Sequence, residues 1–266
     1  MEQLKLDWPI IMAPMFLVSN VKMTVAAMNE GIAAAIPSLN FRTAAELRDA
    51  IRSIREQTER GALGINLIVN KSNVKLSSHL SVCVDEKVDF IITSLGSPKK
   101  VIEQAHTKGI KVYCDVVDLK YALKVQDLGA DGVIAVNNMA GGHAGKMNVE
   151  ELVSLLSKEL VIPIISAGGI GTSKGLQQVL DLGADAASIG TVFIATQESA
   201  VSDEYKNAII QYGAEDIVMT TKLSGTLCTV INTPYVQKTG TRQNFLERIL
   251  NSNKRLKKIA KMITFF

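Results

Sequence analysis

The chain has 266 residues, 47% of them hydrophobic, and a formal net charge of +3. That balance gives no reason to expect a nucleic-acid partner, and no apolar stretch is long enough to read as a membrane span. The three cysteines, Cys83, Cys114 and Cys228, lack metal-ligand spacing and fit a reducing compartment, so the expectation is a cytoplasmic protein with no bound metal.

Met1 to Asp7 is polar, and two prolines interrupt Trp8 to Val18, so no signal peptide is read. Short apolar runs then recur, each ending in a polar or Gly-rich loop and most followed by a helical pattern. Pro9–Ala13 is the first, with its loop at Pro14 to Asn20 and a helix over Val21 to Glu30. Ala33–Ile36 is the second, and Thr43 caps the charged helix that follows. Leu63–Val69, Phe90–Ser94, Lys111–Val116 and Gly132–Val136 are the third to sixth. Pro163–Ala167 and Ala186–Gly190 are the seventh and eighth.

Eight strand–helix repeats predict a (β/α)8 TIM barrel, with an open doubly wound sheet as the competing α/β architecture. An open sheet usually offers one Gly-rich crevice loop, whereas here such loops follow runs six, seven and eight. Gly129-Ala130-Asp131-Gly132 and Gly183-Ala184-Asp185-Ala186 each end a helix and enter a strand. Their glycines read as left-handed helix caps and their aspartates as turn residues, on the face opposite the loops. Residues 1–212 are read as the barrel and 213–266 as a C-terminal helical extension packed on it in the same domain. Within that extension, Ile217 to Pro234 reads as irregular with a short strand. Arg242 to Phe266 reads as a basic amphipathic helix, which packs one face on the barrel or binds a membrane surface or an acidic partner.

In a barrel, the loops after the strands share one face and form the site. The loop after the sixth run, Asn137 to Gly145, carries Gly141, Gly142 and Gly145, which let backbone approach a ligand, and a single titratable group, His143. Met147 to Leu160 is its following helix. The loop after the seventh is Ser166-Ala167-Gly168-Gly169-Ile170-Gly171-Thr172, with Thr172 or Ser173 as helix cap. The loop after the eighth is Ser188-Ile189-Gly190-Thr191. The last two loops together predict a cradle for a phosphate-bearing ligand. Ala13, Pro14 and Met15 at the end of the first strand suit a flat apolar ring. Asn66, polar within an apolar third strand, reads either as a satisfied core amide or as a hydrogen-bonding partner of a heteroaromatic cofactor.

These motifs resemble the nitronate monooxygenase family. The resemblance rests on Met12-Ala13-Pro14-Met15, Gly64-Ile65-Asn66-Leu67, Ala140-Gly141-Gly142-His143-Ala144-Gly145, Ala167-Gly168-Gly169-Ile170 and Ile189-Gly190-Thr191, in the family's order. Ser224-Gly225 and Asn232 resemble its C-terminal pattern. Flavin-dependent enoyl-acyl-carrier-protein reductase II is similar in fold and motifs. The resemblance implies non-covalent FMN, with phosphate on Gly168, Gly169, Gly190 and Thr191 and the ring against Asn66 and Ala13 to Met15. Gly141, Gly145, Ser166 and Ser188 belong to the expected cofactor set, and His143 would face the substrate.

The chain departs from the family pattern at Val136 and Met139, where an amide or acidic residue is common. It departs again at Thr226 to Thr229, where the family is Arg-rich. The expected activity is oxidation of alkyl nitronates by flavin and O2. The alternatives are an NAD(P)H-dependent reductase of an enoyl thioester, a flavin-binding barrel without turnover, and a sugar-phosphate barrel without flavin. A small-molecule substrate, no membrane partner and a homodimer complete the expectation.

Overall fold

The computed structural model describes residues 4–222 and 227–244. The elements run in chain order. Strand β1 (Ile10–Met12) is followed by α1 (Val21–Asn29), β2 (Ala33–Pro37) by α2 (Ala44–Gln57), and β3 (Ala62–Ile68) by α3 (Leu76–Asp85). Strand β4 (Phe90–Ser94) precedes α4 (Lys99–His106), and β5 (Lys111–Val116) precedes α5 (Leu119–Asp127). Next come β6 (Gly132–Val136), the two-residue β7 (Gly142–His143), α6 (Val149–Glu159), β8 (Ile164–Ala167) and α7 (Ser173–Asp181). After β9 (Ala186–Ile189) follow the short α8 (Thr191–Ile194), α9 (Asp203–Gln211), β10 (Ile217–Thr220), β11 (Cys228–Ile231) and α10 (Pro234–Thr239).

Eight parallel strands close into a barrel in the order β1-β2-β3-β4-β5-β6-β8-β9, with β9 pairing back onto β1. All eight expected runs are barrel strands. Local chemistry starts the helices where the sequence says it should. Thr43 accepts from Glu46 N–H, Asp118 from Tyr121 and Thr172 from Gly175, and Asn148 forms a capping box with Glu151.

Side chains alternate between the barrel interior and the helix layer with the strand period of two. Ile11, Ala33, Ala35, Ala62, Phe90, Ile92, Tyr113, Ile134, Ile165 and Ala186 fill the interior, with Leu4 among them. Large residues face small ones. A Cβ on Gly64 would fall into the Phe90 ring, and one on Gly132 would stand 2.9 Å from Tyr113 Cδ1. Phe90 and Tyr113 meet edge to face, with ring centroids 5.7 Å apart. Burial of a ring the size of Phe90 contributes about 2–3 kcal/mol, and Gly64 makes the room for it.

The repeated aspartates do something other than turn the chain. Asp131 accepts from Val112 N–H at 2.9 Å, and Asp185 from Ile164 N–H at 2.8 Å. Asp89, outside the repeat, does the same for Leu63 N–H at 2.6 Å. Each carboxylate satisfies an N–H in the first two residues of the neighbouring strand, at the N-terminal end of the barrel. The glycines behave as expected, with Gly129 at φ +88° and Gly183 at φ +100°.

The segment after the barrel is more regular than its sequence implies. Ile217 to Ile231 holds two strands, β10 and β11, which with β7 form a three-stranded antiparallel sheet. The expected C-terminal helix falls almost wholly in residues 245–266, outside the described residues, as do Ser224 and Gly225. Among the described residues no helix is long and apolar enough to cross a membrane.

Candidate active site at the C-terminal mouth of the barrel

Strand alternation decides which side chains reach the mouth. Phe90 and Ile92 point inward, so Ser94 does too; Tyr113 carries Asp115, Ala62 and Gly64 carry Asn66, and Ala186 carries Ser188. Val136 and Ala167 are the apolar members on β6 and β8. The floor of the site is therefore mixed, with polar groups on β3, β4, β5 and β9.

Ser166 is placed differently from the expectation. Ile165 and Ala167 face the interior, so the Ser166 side chain faces the helix layer, where its hydroxyl is buried without a partner. Its backbone pairs with Ala135 and Ala187, and its side chain does not line the mouth.

The Gly-rich loops converge. A Cβ on Gly190 would stand 3.6 Å from Met15 Sδ and 3.7 Å from Ala13 Cβ, and one on Gly141 would stand 3.8 Å from Thr191 Oγ1. The loops after β1, β6 and β9 thus meet. Gly168 has φ +115°, and a Cβ there would come within 2.6 Å of Ala140 N. Only glycine lets the loops after β6 and β8 approach so closely. The N–H groups of Gly168, Gly169, Gly190 and Thr191 donate to no acceptor among the described residues. Asn66 Oδ1 and Ser188 Oγ are likewise unpartnered, although both residues are buried. A bound anion and a flat polar ring would satisfy these groups, so the residues present fit FMN.

Asn137 ties the two loops together. Its Nδ2 donates to Gly168 O at 3.0 Å, its Oδ1 accepts from Met139 N–H at 2.8 Å, and its carbonyl accepts from Gly145 N–H at 3.1 Å. It is fully buried. Sequence reasoning placed Asn137 at the start of the loop without giving it this part; an Asn ending a buried strand before a Gly-rich loop is the available signal. Gly145 is also structural. It is buried, and a Cβ there would strike the Val136 carbonyl.

His143 is not in a free loop. It belongs to β7 and pairs with Cys228, while Gly142 pairs with Thr229. Thr229 Oγ1 donates to Ala140 O at 2.8 Å, a second tie to the same stretch. The imidazole is exposed and makes no hydrogen bond or ion pair among the described residues. Around the mouth stand the exposed apolar side chains of Phe16, Leu17, Leu95, Val117 and Met139, on the loops after β1, β4, β5 and β6, and of Val192 on α8. Leu17 and Leu95 both sit at φ 61°, a costly conformation for a residue with a Cβ.

Two further polar residues of the mouth, Ser94 and Asp115, were not expected to matter. Burial pushes the Asp115 carboxyl up to about 6, against the opposing effect of a hydrogen bond from Ser94. Among the described residues no cluster of His, Cys, Asp and Glu could hold a metal ion. A cavity of about 610 Å³ opens at the other end of the barrel, lined by Lys5, Asp7, Arg60, Lys87, Asp89 and Lys111 among others. It lies with the strand-capping aspartates and away from the converging loops, so it is not the candidate active site.

Fold and mouth together define a (β/α)8 barrel with a ligand site built from the loops after its strands. The chain belongs to the nitronate monooxygenase family of oxidoreductases, whose model matches residues 72–264. A nitronate monooxygenase of Paraburkholderia phytofirmans is 32% identical over 158 residues, covering 56% of this chain and 43% of that protein. A (3aS,4S,5R,7aS)-5-hydroxy-7a-methyl-1-oxo-octahydro-1H-indene-4-carboxyl-CoA dehydrogenase of Rhodococcus jostii is 28% identical over 228 residues. That match covers 86% of this chain and 64% of the relative, so the chain spans less than two thirds of either protein. Among solved structures, FabK from Thermotoga maritima aligns with a TM-score of 0.82 and 29% identity, over 97% of this chain and 79% of that one. Nitroalkane oxidase from Streptomyces ansochromogenes, at 22% identity and a TM-score of 0.80, shares the fold.

Proposed function

We propose that this chain is an FMN-dependent oxidoreductase that oxidises alkyl nitronates with O2. The observation that carries this reading is the set of unfilled donors on Gly168, Gly169, Gly190 and Thr191, beside the unpartnered Asn66 and Ser188. The four N–H groups would hold the FMN phosphate. Asn66, Ser188 and the Ala13–Pro14–Met15 backbone would hold the ring, and Gly141 keeps the adjoining loop free of a side chain. Bound FMN would supply the one-electron oxidation, with O2 as the co-substrate. His143 would act on the substrate from β7. It would hold an anionic nitronate by a hydrogen bond or charge, or take the α-proton of a neutral nitroalkane.

A second reading, an NAD(P)H-dependent reductase acting on an enoyl thioester, has its own support. The apolar rim from Phe16 to Val192 suits a long acyl substrate, and the Rhodococcus jostii relative is named for a carboxyl-CoA substrate. There His143 would be a proton donor or a contact to the thioester. The visible spectrum of the purified protein tests both readings at once. A yellow protein that releases FMN on denaturation is expected, and a colourless protein that takes up no added FMN would overturn them. Anaerobic bleaching by NADH or NADPH would favour the reductase. Aerobic nitronate turnover without such bleaching would favour the monooxygenase.

A further inference from the structure

Three polar side chains on three neighbouring strands form one hydrogen-bonded chain at the mouth. Asn66 Nδ2 on β3 donates to Ser94 Oγ on β4 at 2.8 Å, and more weakly to Ile92 O at 3.3 Å. Ser94 Oγ donates to Asp115 Oδ2 on β5 at 2.5 Å. The donor sense of this chain is fixed. An amide NH2 can only give hydrogens, so Ser94 accepts from Asn66 and spends its own hydrogen on Asp115. Asn66 Oδ1 is thereby left as the free end, an acceptor with no partner.

The surroundings of Asp115 leave Ser94 as its one polar anchor. Ile134 stands opposite it on β6, with Val136 beyond. Cys114 points to the helix side and pairs with Thr93. Tyr121 on α5 gives its hydroxyl to Gly96 O. His143 on β7 and Lys146 beyond it form no ion pair with it, nor does any other Lys, Arg or His among the described residues. The second carboxylate oxygen accepts no hydrogen bond, and the residue is only half-buried.

We propose that Asp115 is a positioning residue for the cofactor: through Ser94 it holds the Asn66 amide with its carbonyl oxygen outward as an acceptor, and it does so only while ionised. Once protonated, Asp115 donates to Ser94 Oγ instead of accepting from it. The Ser94 hydrogen is then released toward Asn66, where it opposes the two hydrogens of Nδ2. The outward acceptor is no longer defined. The ligand edge that this acceptor selects is one carrying an N–H, as the imide of an isoalloxazine does. That a cofactor is what Asn66 meets, and that its edge is a flavin imide, rest on the flavin reading; the relay from Asp115 through Ser94 to Asn66 does not.

The test has two arms. The first needs no cofactor. The Asn66 side-chain amide resonances of the isotope-labelled full-length protein are followed from about pH 5 to 8. They are expected to shift with a midpoint near 6, the value to which burial raises Asp115. The shift is expected to vanish in Asp115→Asn and in Ser94→Ala. A pH-invariant Asn66 amide in the parent, or a shift that survives Ser94→Ala, would overturn the proposal.

The second arm reads FMN affinity by fluorescence quenching in the same variants. The FMN phosphate titrates in the same range, so the quantity compared is the extra pH slope of the parent over Asp115→Asn. That extra weakening at the acid end is expected to be about tenfold, the worth of one well-made hydrogen bond. In an Asn66→Ala background, Asp115→Asn should add nothing. Equal slopes in parent and Asp115→Asn, or an Asp115 effect that persists without Asn66, would overturn the route through Asn66. A protein whose Asn66 amide titrates as described but which binds no FMN upholds the relay and overturns the flavin reading alone.

Discussion

His143 and Cys228 are Cα partners in an antiparallel ladder, so the one histidine of the β6–α6 connection is placed by a strand that follows the last barrel strand in the sequence. The ring is held by backbone pairing and carries no side-chain hydrogen bond of its own among the described residues. Removing it should therefore leave the architecture intact. His143→Ala is expected to keep FMN and to lower turnover by roughly 10²–10⁴-fold if the ring is a general base. The loss should be large with a neutral nitroalkane and smaller with preformed nitronate. Equal losses on both substrates would assign the ring to holding an anion. Unchanged steady-state rates on every substrate would remove it from the mechanism.

Gly168 and Gly190 of the proposed phosphate cradle should fail in different ways. At Gly190 a Cβ meets only ordinary contacts with Met15 and Ala13. Gly190→Ala should therefore fold normally, whereas Gly190→Asp should fold and purify without flavin. At Gly168 a Cβ would run into Asn137 and Ala140 at a positive φ. Gly168→Ala should lose stability as well as flavin, by about 1–3 kcal/mol on the scale of such strain. Flavin content and urea unfolding separate the cases, and stoichiometric FMN in Gly190→Asp would sink the cradle.

At the other end of the barrel, Asp131 holds Val112 N–H, His106 and Lys111 together. Burial opposes its charge, but those three hydrogen bonds outweigh it and hold the carboxyl below the ordinary aspartate range. A depressed folded value means stabilisation present above the unfolded value and lost as pH falls through the folded one. Asp131→Asn should cost about 2 kcal/mol near neutrality, and the gap to the parent should close in acid. A constant gap across the acid limb of the denaturation profile would contradict this.

His79 on α3 is fully buried with neither ring nitrogen partnered. Burial first, and then Lys75, push its pKa down. The unfolded chain therefore takes up the proton more readily, and stability is lost as pH falls below the ordinary histidine value. His79→Leu should raise stability by about 1–2 kcal/mol, since a buried polar atom without a partner costs that much. Its advantage in melting temperature should widen below about pH 6.5. A less stable variant at acid pH would mean that His79 has a partner in solution.

What was legible in the sequence was whatever a single run of residues decides. Each barrel strand announces itself as an apolar run, and each mouth loop by its glycines, so strands such as Phe90–Ser94 and Gly132–Val136 were placed to the residue. Pairings between distant runs were not legible. Nothing near His143 says that its partner is Cys228, and nothing near Asp131 says that its carboxylate serves the N–H of Val112 on the preceding strand. Ser94 and Asp115 are each one polar residue at the end of an apolar strand. Only the barrel register turns them into a connected pair that reaches Asn66.

The order in which a ribosome delivers the chain gives the β7–β11 pairing a temporal meaning. All eight barrel strands have been made by Ile189. Cys228 and Thr229, which pair with His143 and Gly142 and tether Ala140, are synthesised afterwards. The walls of the barrel and the pairing that positions the imidazole are thus written in separate stretches of the chain. The proposed phosphate cradle on Gly168, Gly169, Gly190 and Thr191 is encoded before residue 192, whereas the strand that fixes the place of His143 is encoded after residue 227, so the two halves of the mouth are separable in the chain.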